Sequence, residues 1–326
     1  MRTVRAHLTP RSAFGTLPLG DTLFGQLCWA LRNRHGDERL TALLEGYTQG
    51  RPFLVVSDAL PAGYLPRPAL PSHLFAPMEG LDRKLAKKRK WLPRERCAEP
   101  VSSWLRHCVT SEDLPGGWFE SHAQAHNSIA RRTGTTGESF APYTMTQHWP
   151  GKMTSKHGTQ QYVMGELDLD VVLDETRLSI EELRAALSDI GELGFGRDAG
   201  IGLGRFSVKE VEAVSWPEQN GAIAWLTLAP CAPQGAAWNV ERCFYQVFTR
   251  FGRHGDIAVK RGNPFKTPVL LAATGAVLTP KTFESRLFVG QGLGGDGSLS
   301  KAVPRTVHQG YAPVVGVTFE SNAVNT

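Results

Sequence analysis

The stretch "GFGRDAGIGLGRF", residues 194–206, places five glycines within eleven positions. Glycine at this density indicates positive φ at several positions, or a partner that approaches closer than a Cβ allows. Upstream, Ser179 and Glu182 form a capping box ahead of apolar residues at helical spacing, which predicts an amphipathic helix. Downstream, Phe206 and Val208 alternate with polar residues, which predicts a half-buried strand. A dinucleotide-binding loop follows a strand and opens a helix, whereas these glycines follow a helix and precede a strand. A P-loop is also disfavoured, because no Gly-Lys-Ser/Thr follows the glycines.

The segments around this loop extend the pattern to a complete α+β domain. Residues 1–60 give a strand, a helix with Asp21 as N-cap and Gly36 as its end, and a second strand. From about 61 to 160 the chain is rich in Pro, Gly and charge, as in an insertion, and a strand pattern returns just after it. This order predicts a ferredoxin-like (RRM-like) domain over residues 1–214, with the glycine-rich loop before its last strand. Residues 215–326 contain several candidate strands and no clear helix.

The composition is that of a folded protein with about two domains, since 41% of its 326 residues are hydrophobic and 21% are charged. The first ten residues lack the apolar stretch of a signal peptide, and the longest apolar run is too short to span a bilayer. We therefore expect a cytoplasmic protein that makes no membrane contact. The five cysteines include no C-x-x-C pair, which argues against a zinc site and a disulfide framework. No metal and no cofactor is predicted.

The positive charge is concentrated in residues 82–96, which hold eight Lys or Arg against two acids. The whole chain has a net charge of +5, so the remainder is close to neutral. Such a segment is typical of contact with a phosphate backbone, although a solvated surface helix or mobile loop is the alternative. The candidate RNA-binding residues here are Lys84, Lys87, Lys88, Arg89, Lys90 and Trp91.

Four segments, in this order, resemble the RAMP superfamily of CRISPR effector subunits. They are "GDTLFGQLCWAL" (20–31), "HNSIARRTGTTGESF" (126–140), the glycine-rich stretch and "KRGNPFKTPVLLAATGAV" (260–277). Together they are most similar to the subunit that caps the 5′ end of the guide RNA in type III-A (Csm) complexes of antiviral defence. The equivalent subunit of type III-B (Cmr) complexes is a near relative.

The resemblance implies a second, degenerate ferredoxin-like domain over residues 215–326. It also implies a non-catalytic scaffold that binds the repeat-derived 5′ tag of the crRNA. The implied protein partners are the large polymerase-like subunit and the backbone RAMP subunits.

The resemblance also assigns site residues, each with a plausible contact chemistry. In the loop, glycine N–H groups and arginines suit phosphate oxygens, while Asp198 would hold the loop together. In the insertion, His126 and Asn127 suit base edges, Ile129 suits a wedge against a base, and the arginines suit phosphates; an ordinary exposed hairpin is the alternative. The predicted RNA-binding residues outside the basic segment are Arg11, Ser12, His126, Asn127, Ile129, Arg131, Arg132, Gly194, Gly196, Arg197, Gly202, Gly204, Arg205, Lys260, Arg261 and Lys266. For the last three, solvated surface charge is an equally good interpretation.

Two other function classes remain as alternatives. Related RAMP nucleases process guide RNA by general acid–base chemistry with a histidine, and this chain has ten histidines but no visible pairing among them. His122 and His126 lie four apart but lack the glutamate of a zinc-binding H-E-x-x-H helix. We therefore expect no catalysis, with a processing endoribonuclease as the first rival and an ATP-binding regulator as the second.

Overall fold

The computed structural model describes residues 1–77, 80, 82–136, 141–156, 159–255 and 264–319. The alternation of apolar and polar residues near the N-terminus forms a strand, and Val4, Ala6 and Leu8 are buried as predicted. The first elements are β1 (Arg2–Pro10), α1 (Gly20–Leu44) and β2 (Leu54–Pro61).

Helix α1 begins and ends differently from the prediction. Its N-cap is Leu19, whereas Asp21 lies inside the helix and pairs with Arg250. Gly36 has φ 88° and interrupts the helical dihedrals, yet the helix resumes and runs to Leu44. The interruption is short because the following residues, "DERLTALL", are mostly good helix formers.

Two small antiparallel sheets lie between Pro61 and Leu167, within the predicted insertion. One has the order β3–β4–β5 and the other the order β6–β7–β8. Strands β6 and β7 pair over eight residues and form a long hairpin. The elements are β3 (Tyr64–Pro66), α2 (Arg83–Lys88), β4 (Arg89–Pro93), α3 (Val101–His107), β5 (Val109–Thr110), β6 (Phe119–His126), β7 (Tyr143–Lys156) and β8 (Thr159–Met164).

The first large sheet is completed by β9 (Leu167–Leu173), α4 (Ile180–Leu193) and β10 (Phe206–Ala213). Its strand order is β10–β1–β9–β2, with antiparallel neighbours throughout. Helices α1 and α4 pack against each other and against this sheet. Counted within the domain the order is 4-1-3-2, the order expected of a split βαβ arrangement.

The capping box predicted for α4 is present. The Ser179 Oγ accepts a hydrogen bond from the Glu182 N–H at 3.1 Å, and the Ser179 N–H donates to the Glu182 carboxylate at 2.9 Å. We expect Ser179→Ala to lower the free energy of unfolding by about 1 kcal/mol, measured by urea denaturation. Ser188→Ala, inside the same helix, should change it by less than about 0.5 kcal/mol. Equal losses for the two variants would contradict a capping role.

The second half of the chain forms a four-stranded antiparallel sheet in the order β14–β11–β18–β15. A separate hairpin, β12–β13, and a short pair, β16–β17, accompany it. The strands are β11 (Ala224–Thr227), β12 (Val247–Arg250), β13 (Val269–Ala272), β14 (Val277–Leu278), β15 (Phe288–Gly290), β16 (Leu293–Gly294), β17 (Val307–His308) and β18 (Tyr311–Val317).

This second sheet differs from the degenerate ferredoxin-like domain implied by the resemblance. Its order counted within the domain is 2-1-4-3, and the described residues after 213 contain no α-helix. Prolines and a glycine interrupt the connection after β11, "LAPCAPQGAAW", so no helical period develops there. The mixed α+β class is confirmed, but the arrangement of the second half is not the predicted one.

Direct hydrogen bonds hold the second sheet against β2. The Gln309 carboxamide accepts from the Val56 N–H at 2.9 Å and donates to the Val56 carbonyl at 2.8 Å. The Asp58 N–H donates to the Leu228 carbonyl at 2.8 Å. Because β2 is an edge strand, these bonds satisfy main-chain groups that would otherwise lie unpaired.

Asp58 lies buried at the junction of the two halves. Its carboxylate accepts from the Gly20 N–H at 2.7 Å and from the Thr274 hydroxyl. Burial, together with the nearby Asp21 carboxylate, raises the pKa of Asp58 from 3.8 to about 7. The folded protein therefore holds this proton over a pH range in which the unfolded chain has lost it.

The free energy of unfolding should accordingly fall as pH rises from about 4 to 7, because the folded state binds the extra proton. We expect the free energy of unfolding of Asp58→Asn, relative to that of the parent protein, to increase by at least about 1 kcal/mol from pH 5 to pH 8. Urea denaturation across this pH range measures the gain. In the control Asp296→Asn, hydrogen bonds from Ser298 lower the pKa of the parent carboxyl, so no such trend is expected. A pH-independent difference for Asp58→Asn would show that this carboxyl does not titrate there.

Candidate RNA interface

The glycine loop, residues 194–204, connects α4 to β10. Its φ angles are positive at Gly194 (100°), Gly196 (77°), Asp198 (64°), Gly202 (97°) and Gly204 (72°). The repeated left-handed backbone explains the glycine density, since residues with a Cβ rarely adopt these angles.

The two ends of the loop close on each other. A Cβ at Gly194 would lie 2.4 Å from the Leu203 carbonyl oxygen, and one at Gly204 would lie 2.1 Å from the Phe195 carbonyl oxygen. The Gly194 N–H donates within α4, and the Gly204 N–H donates to the Ala13 carbonyl at 2.7 Å. Both amides are hydrogen-bonded within the protein, so these two glycines shape the loop and do not offer free N–H groups to a phosphate.

Asp198 stabilises the loop, as predicted. Its carboxylate pairs with the Arg197 Nε at 3.2 Å. Its carbonyl accepts from the Ile201 and Leu203 N–H groups at 3.1 and 3.3 Å. The outer part of the loop is open: a Cβ on Gly200 or Gly202 would meet nothing within 4 Å.

The ferredoxin-like order of elements predicts that Arg11 and Ser12, directly after β1, lie beside the glycine loop. The structure places the segment between β1 and α1 there. The Arg11 N–H donates to the Arg205 carbonyl at 2.7 Å, and the Arg205 N–H donates to the Ser12 Oγ at 2.9 Å. Further along, the Arg197 N–H donates to the Thr16 Oγ1 at 3.2 Å. Two segments far apart in sequence thus form one surface.

The base of the β6–β7 hairpin is the third part of this surface. The Phe14 and His148 main chains exchange two hydrogen bonds of 2.8 Å, and Arg197 Nη2 donates to the Thr146 carbonyl. The His148 Nδ1 lies 3.0 Å from the Ser121 Oγ. Burial and the Arg197 guanidinium lower the pKa of His148, so this ring is neutral at pH 7. This contact could not be predicted from the sequence, because no local pattern marks Phe14 or His148.

The resulting surface has a positive rim. The side chains of Arg11, Arg197 and Arg205 are exposed. Arg197 pairs with Asp198, whereas Arg11 and Arg205 form no ion pair with any described residue. Exposed guanidinium groups beside an open, left-handed backbone suit the oxygens of a sugar–phosphate chain. We name this surface the loop site.

The hairpin tip lies apart from the loop site. His126 is five residues along β6 from Ser121, about 17 Å at the rise of a strand. There the His126 ring stacks on Tyr143, with ring centroids 5.2 Å apart. The other exposed tip residues predicted to bind RNA are Asn127, Ile129, Arg131 and Arg132. An RNA that contacts both places would have to run along the hairpin.

The basic segment is exposed in part. The α2 region presents four of the predicted residues to solvent: Lys84, Lys87, Lys88 and Lys90. The remaining two have structural roles. Arg89 donates to the carbonyls of Leu105, Arg106 and Cys108 at 3.4, 3.2 and 3.0 Å, at the end of α3.

Trp91, a candidate RNA-binding residue of the basic segment, lies in the core with only 8% of its surface exposed. Its Nε1 donates to the Ser111 Oγ at 3.2 Å, and its ring packs on Trp118 at 4.5 Å between centroids. Trp91 and Leu92 are the two buried residues of the short strand β4, so the role of Trp91 is packing.

Lys266 is turned towards helix α1 and not towards an outer rim. Burial lowers its pKa, and the nearby Cys28 and Asp21 act in the opposite direction. Its side chain is half-buried, and the predicted contact of Lys266 with RNA stays a prediction. Lys260 and Arg261 lie outside the described residues.

The sheet face opposite the helices is closed by charge pairs. Asp170 is fully buried and accepts from Arg5 at 2.9 Å and from Arg94 at 2.7 Å. Asp168, also buried, contacts the His7 Nδ1 at 2.8 Å. The carboxylates neutralise the neighbouring cations, so Arg5 and Arg94 are held within the protein by these pairs.

Within the described residues, no group of three or more His, Cys, Asp or Glu side chains could hold a metal ion. His122 lies on strand β6, not on a helix, with its Nε2 3.5 Å from the Glu120 carboxylate. None of the described helices combines the length and the apolar character needed to cross a bilayer.

Comparison with known proteins defines the fold. No protein-family model and no curated protein matches the chain. Solved structures match over nearly its whole length. A chain of a Csm1–Csm4 cassette in complex with pppApA has a TM-score of 0.57 and 15% identity, covering 99% of this chain and 100% of that one. A chain of a Csm3–Csm4 subcomplex in the type III-A CRISPR–Cas interference complex has a TM-score of 0.58 and 13% identity, covering 98% and 100%.

Another structure of the Csm1–Csm4 cassette, in complex with cA4, has a TM-score of 0.58 and 15% identity over the same extent. Csm4 is the component common to these complexes. The protein therefore shares the fold of a subunit of type III-A complexes, from the first strand to the last.

Proposed function

We propose that this protein is a subunit of a type III-A CRISPR (Csm) complex that binds the 5′ tag of the crRNA. It acts as a non-catalytic scaffold that also docks the large polymerase-like subunit and the backbone RAMP subunits. The fold shared with chains of Csm1–Csm4 and Csm3–Csm4 assemblies supports the subunit assignment. The loop site supports the RNA role, because three segments distant in sequence converge there.

The observation that carries the proposal is the set of contacts of Arg197. Its N–H bonds Thr16, its Nη2 bonds the Thr146 carbonyl, and its Nε pairs with Asp198. One arginine thus joins the glycine loop to both neighbouring segments. The exposed cations Arg11 and Arg205 flank this junction at fixed positions, since the main chains of these two residues are hydrogen-bonded to the neighbouring segment.

Salt dependence tests the role of these cations. Each phosphate neutralised on a single strand contributes about 0.7 to the slope of log K against log salt. We expect the double variant Arg11→Gln/Arg205→Gln to reduce that slope by about 1.4 for single-stranded repeat RNA, measured by fluorescence anisotropy. Its affinity should fall roughly tenfold at low salt.

The control for this measurement is Arg2→Gln. Arg2 is an exposed arginine at the start of β1, whereas Arg11 directly follows the end of this strand. Arg2 pairs with Glu175. This variant should bind RNA like the parent protein. An unchanged slope in the double variant would place the RNA elsewhere on the surface.

Incubation of the purified protein with repeat RNA separates the scaffold from a processing nuclease. The scaffold predicts intact RNA after binding. Specific cleavage that is lost on substitution of a single histidine would overturn the non-catalytic role. Binding of ATP in place of RNA would instead favour a nucleotide-dependent regulator.

A further inference from the structure

One face of the β6–β7 hairpin is turned towards the loop site. Phe119 and Ser121 lie on the same face of β6, because successive side chains of a strand alternate. The Phe119 ring contacts the Phe14 ring edge to face, with centroids 5.4 Å apart, and the Phe14 ring lies 6.4 Å from the Phe195 ring of the glycine loop. Ser121 is the next residue outward on this face, so its hydroxyl lies at the margin of the loop site.

His148 lies directly opposite Ser121, on strand β7. Its main chain exchanges two hydrogen bonds of 2.8 Å with the main chain of Phe14. Its ring is held by the contact of 3.0 Å between Nδ1 and the Ser121 Oγ. Both the backbone and the ring of His148 are therefore positioned at the loop site before a ligand binds.

The second ring nitrogen of His148 is available to a ligand. Among the described residues, the Nε2 atom has no hydrogen-bond partner, and the half-buried ring leaves this atom open to solvent. Whichever nitrogen carries the proton, Nε2 can either donate or accept one hydrogen bond. The 2′-hydroxyl of RNA is both a donor and an acceptor, so it can pair with Nε2 in either tautomer.

The surroundings of His148 favour a neutral sugar group over a phosphate. Burial and the neighbouring Arg197 guanidinium lower the pKa of His148, so the ring brings no positive charge to a phosphate at pH 7. The exposed cations Arg11 and Arg205 suit the phosphates, and every ribose lies next to a phosphate of the strand. A neutral hydrogen-bonding group beside these cations therefore suits a 2′-hydroxyl, the group by which a protein distinguishes RNA from DNA.

We propose that His148, held by Ser121, contacts a 2′-hydroxyl of the strand bound at the loop site and makes this site selective for RNA over DNA. The inference rests on the RNA-binding function proposed above and adds recognition of the sugar to the phosphate contacts. His148 is the specificity-determining residue, and Ser121 is a positioning residue that acts through it.

The test compares single-stranded repeat RNA with a DNA of the same base sequence that carries deoxyuridine in place of thymidine. The two strands then differ only in their 2′-hydroxyls. With the full-length protein and fluorescence anisotropy, we expect His148→Leu to weaken RNA binding roughly fivefold, as for one lost hydrogen bond, and to leave DNA binding unchanged. The unchanged DNA affinity also shows that the variant is folded.

RNAs with a single deoxynucleotide locate the contact. Replacement at one position should weaken binding to the parent protein roughly fivefold and have no effect on binding to His148→Leu. Replacement at positions away from this contact should affect both proteins alike. A base contact would instead respond to a change of base and not to removal of the hydroxyl.

Three further variants separate sugar recognition from a structural role. His148→Gln keeps a neutral nitrogen near the position of Nε2 and should restore most of the selectivity for RNA. Ser121→Ala removes the partner of Nδ1 and should reduce the selectivity about twofold. The matched control is His122→Leu, because His122 is adjacent to Ser121 but points to the opposite face of the hairpin. It should bind both strands like the parent protein.

Three results would overturn the inference: equal affinities of the parent protein for RNA and DNA, equal losses for the two strands in His148→Leu, or unchanged affinities for both in that variant. The Arg11→Gln/Arg205→Gln variant should reduce the salt slope for RNA and DNA alike, so the proposed function is judged separately. A reduced slope together with unchanged selectivity in His148→Leu overturns only the role of His148. If the parent protein binds neither strand, both proposals fail.

Discussion

Gly204→Ala is expected to lower the free energy of unfolding by about 3 kcal/mol or more. Two costs combine at this position. The φ of 72° is unfavourable for a residue with a side chain, and the new Cβ would lie 2.1 Å from the carbonyl oxygen and 2.5 Å from the nitrogen of Phe195. Both close atoms belong to main chain, so the loop must open to relieve the contact. Opening would also break the hydrogen bond from the Gly204 N–H to Ala13, which holds the β1–α1 segment in place.

Gly200→Ala in the same loop is the matched control. Gly200 has no positive φ, and an added Cβ would have no heavy atom within 4 Å. Its free energy of unfolding, measured by urea denaturation, should stay within about 0.5 kcal/mol of the parent value. Similar losses for the two alanine variants would mean that the loop is not closed as described.

Arg250→Ala should have a similarly large effect, a loss of about 3–5 kcal/mol in the free energy of unfolding. The arginine holds the buried Asp21 carboxylate with two hydrogen bonds, and the His308 Nε2 lies 3.4 Å from the same carboxylate. Removing Arg250 leaves a carboxylate inside the protein without its main cation. The loss is large because water cannot replace the guanidinium at a buried position.

Arg2→Ala is the comparison for this prediction. Arg2 pairs with Glu175 at 3.0 Å, but both side chains are well exposed, so the loss should be below about 1 kcal/mol. Thermal and urea denaturation of the two variants measure the difference. If Arg250→Ala lowered the free energy of unfolding no more than Arg2→Ala does, Asp21 would be solvated, and the pair between Arg250 of β12 and Asp21 of α1 would not be buried.

Local sequence patterns predicted the elements of the first large sheet well. The alternation in β1 and β10, the capping box at Ser179 and the positive φ of the glycine loop are properties of neighbouring residues. The position of Arg11 beside Arg205 also followed, because the order of elements determines which strand ends meet. Each of these depends on a few adjacent residues or on connectivity alone.

Contacts between residues that are distant in sequence could not be predicted from such local patterns. Asp21 has the residue type and position of an N-cap, and only the distant Arg250 shows its real role as half of a buried pair. Trp91 lies among lysines and arginines in sequence, but its neighbour in space is Trp118. In the second half, the local pattern predicted strands and no clear helix, as found in its described residues, whereas the ferredoxin-like arrangement came only from the resemblance.

The Gln309 side chain has a consequence for the thermodynamics of ligand binding. Its carboxamide occupies both main-chain groups of Val56, as a neighbouring strand would, and ties the second half of the chain to the edge of the first sheet. Rotation of one half against the other would break both hydrogen bonds and leave buried polar groups unpaired. The free energy of such a rotated state is high, so it is rarely populated. The protein therefore offers a preorganised surface, and a ligand that spans both halves loses little entropy in ordering them.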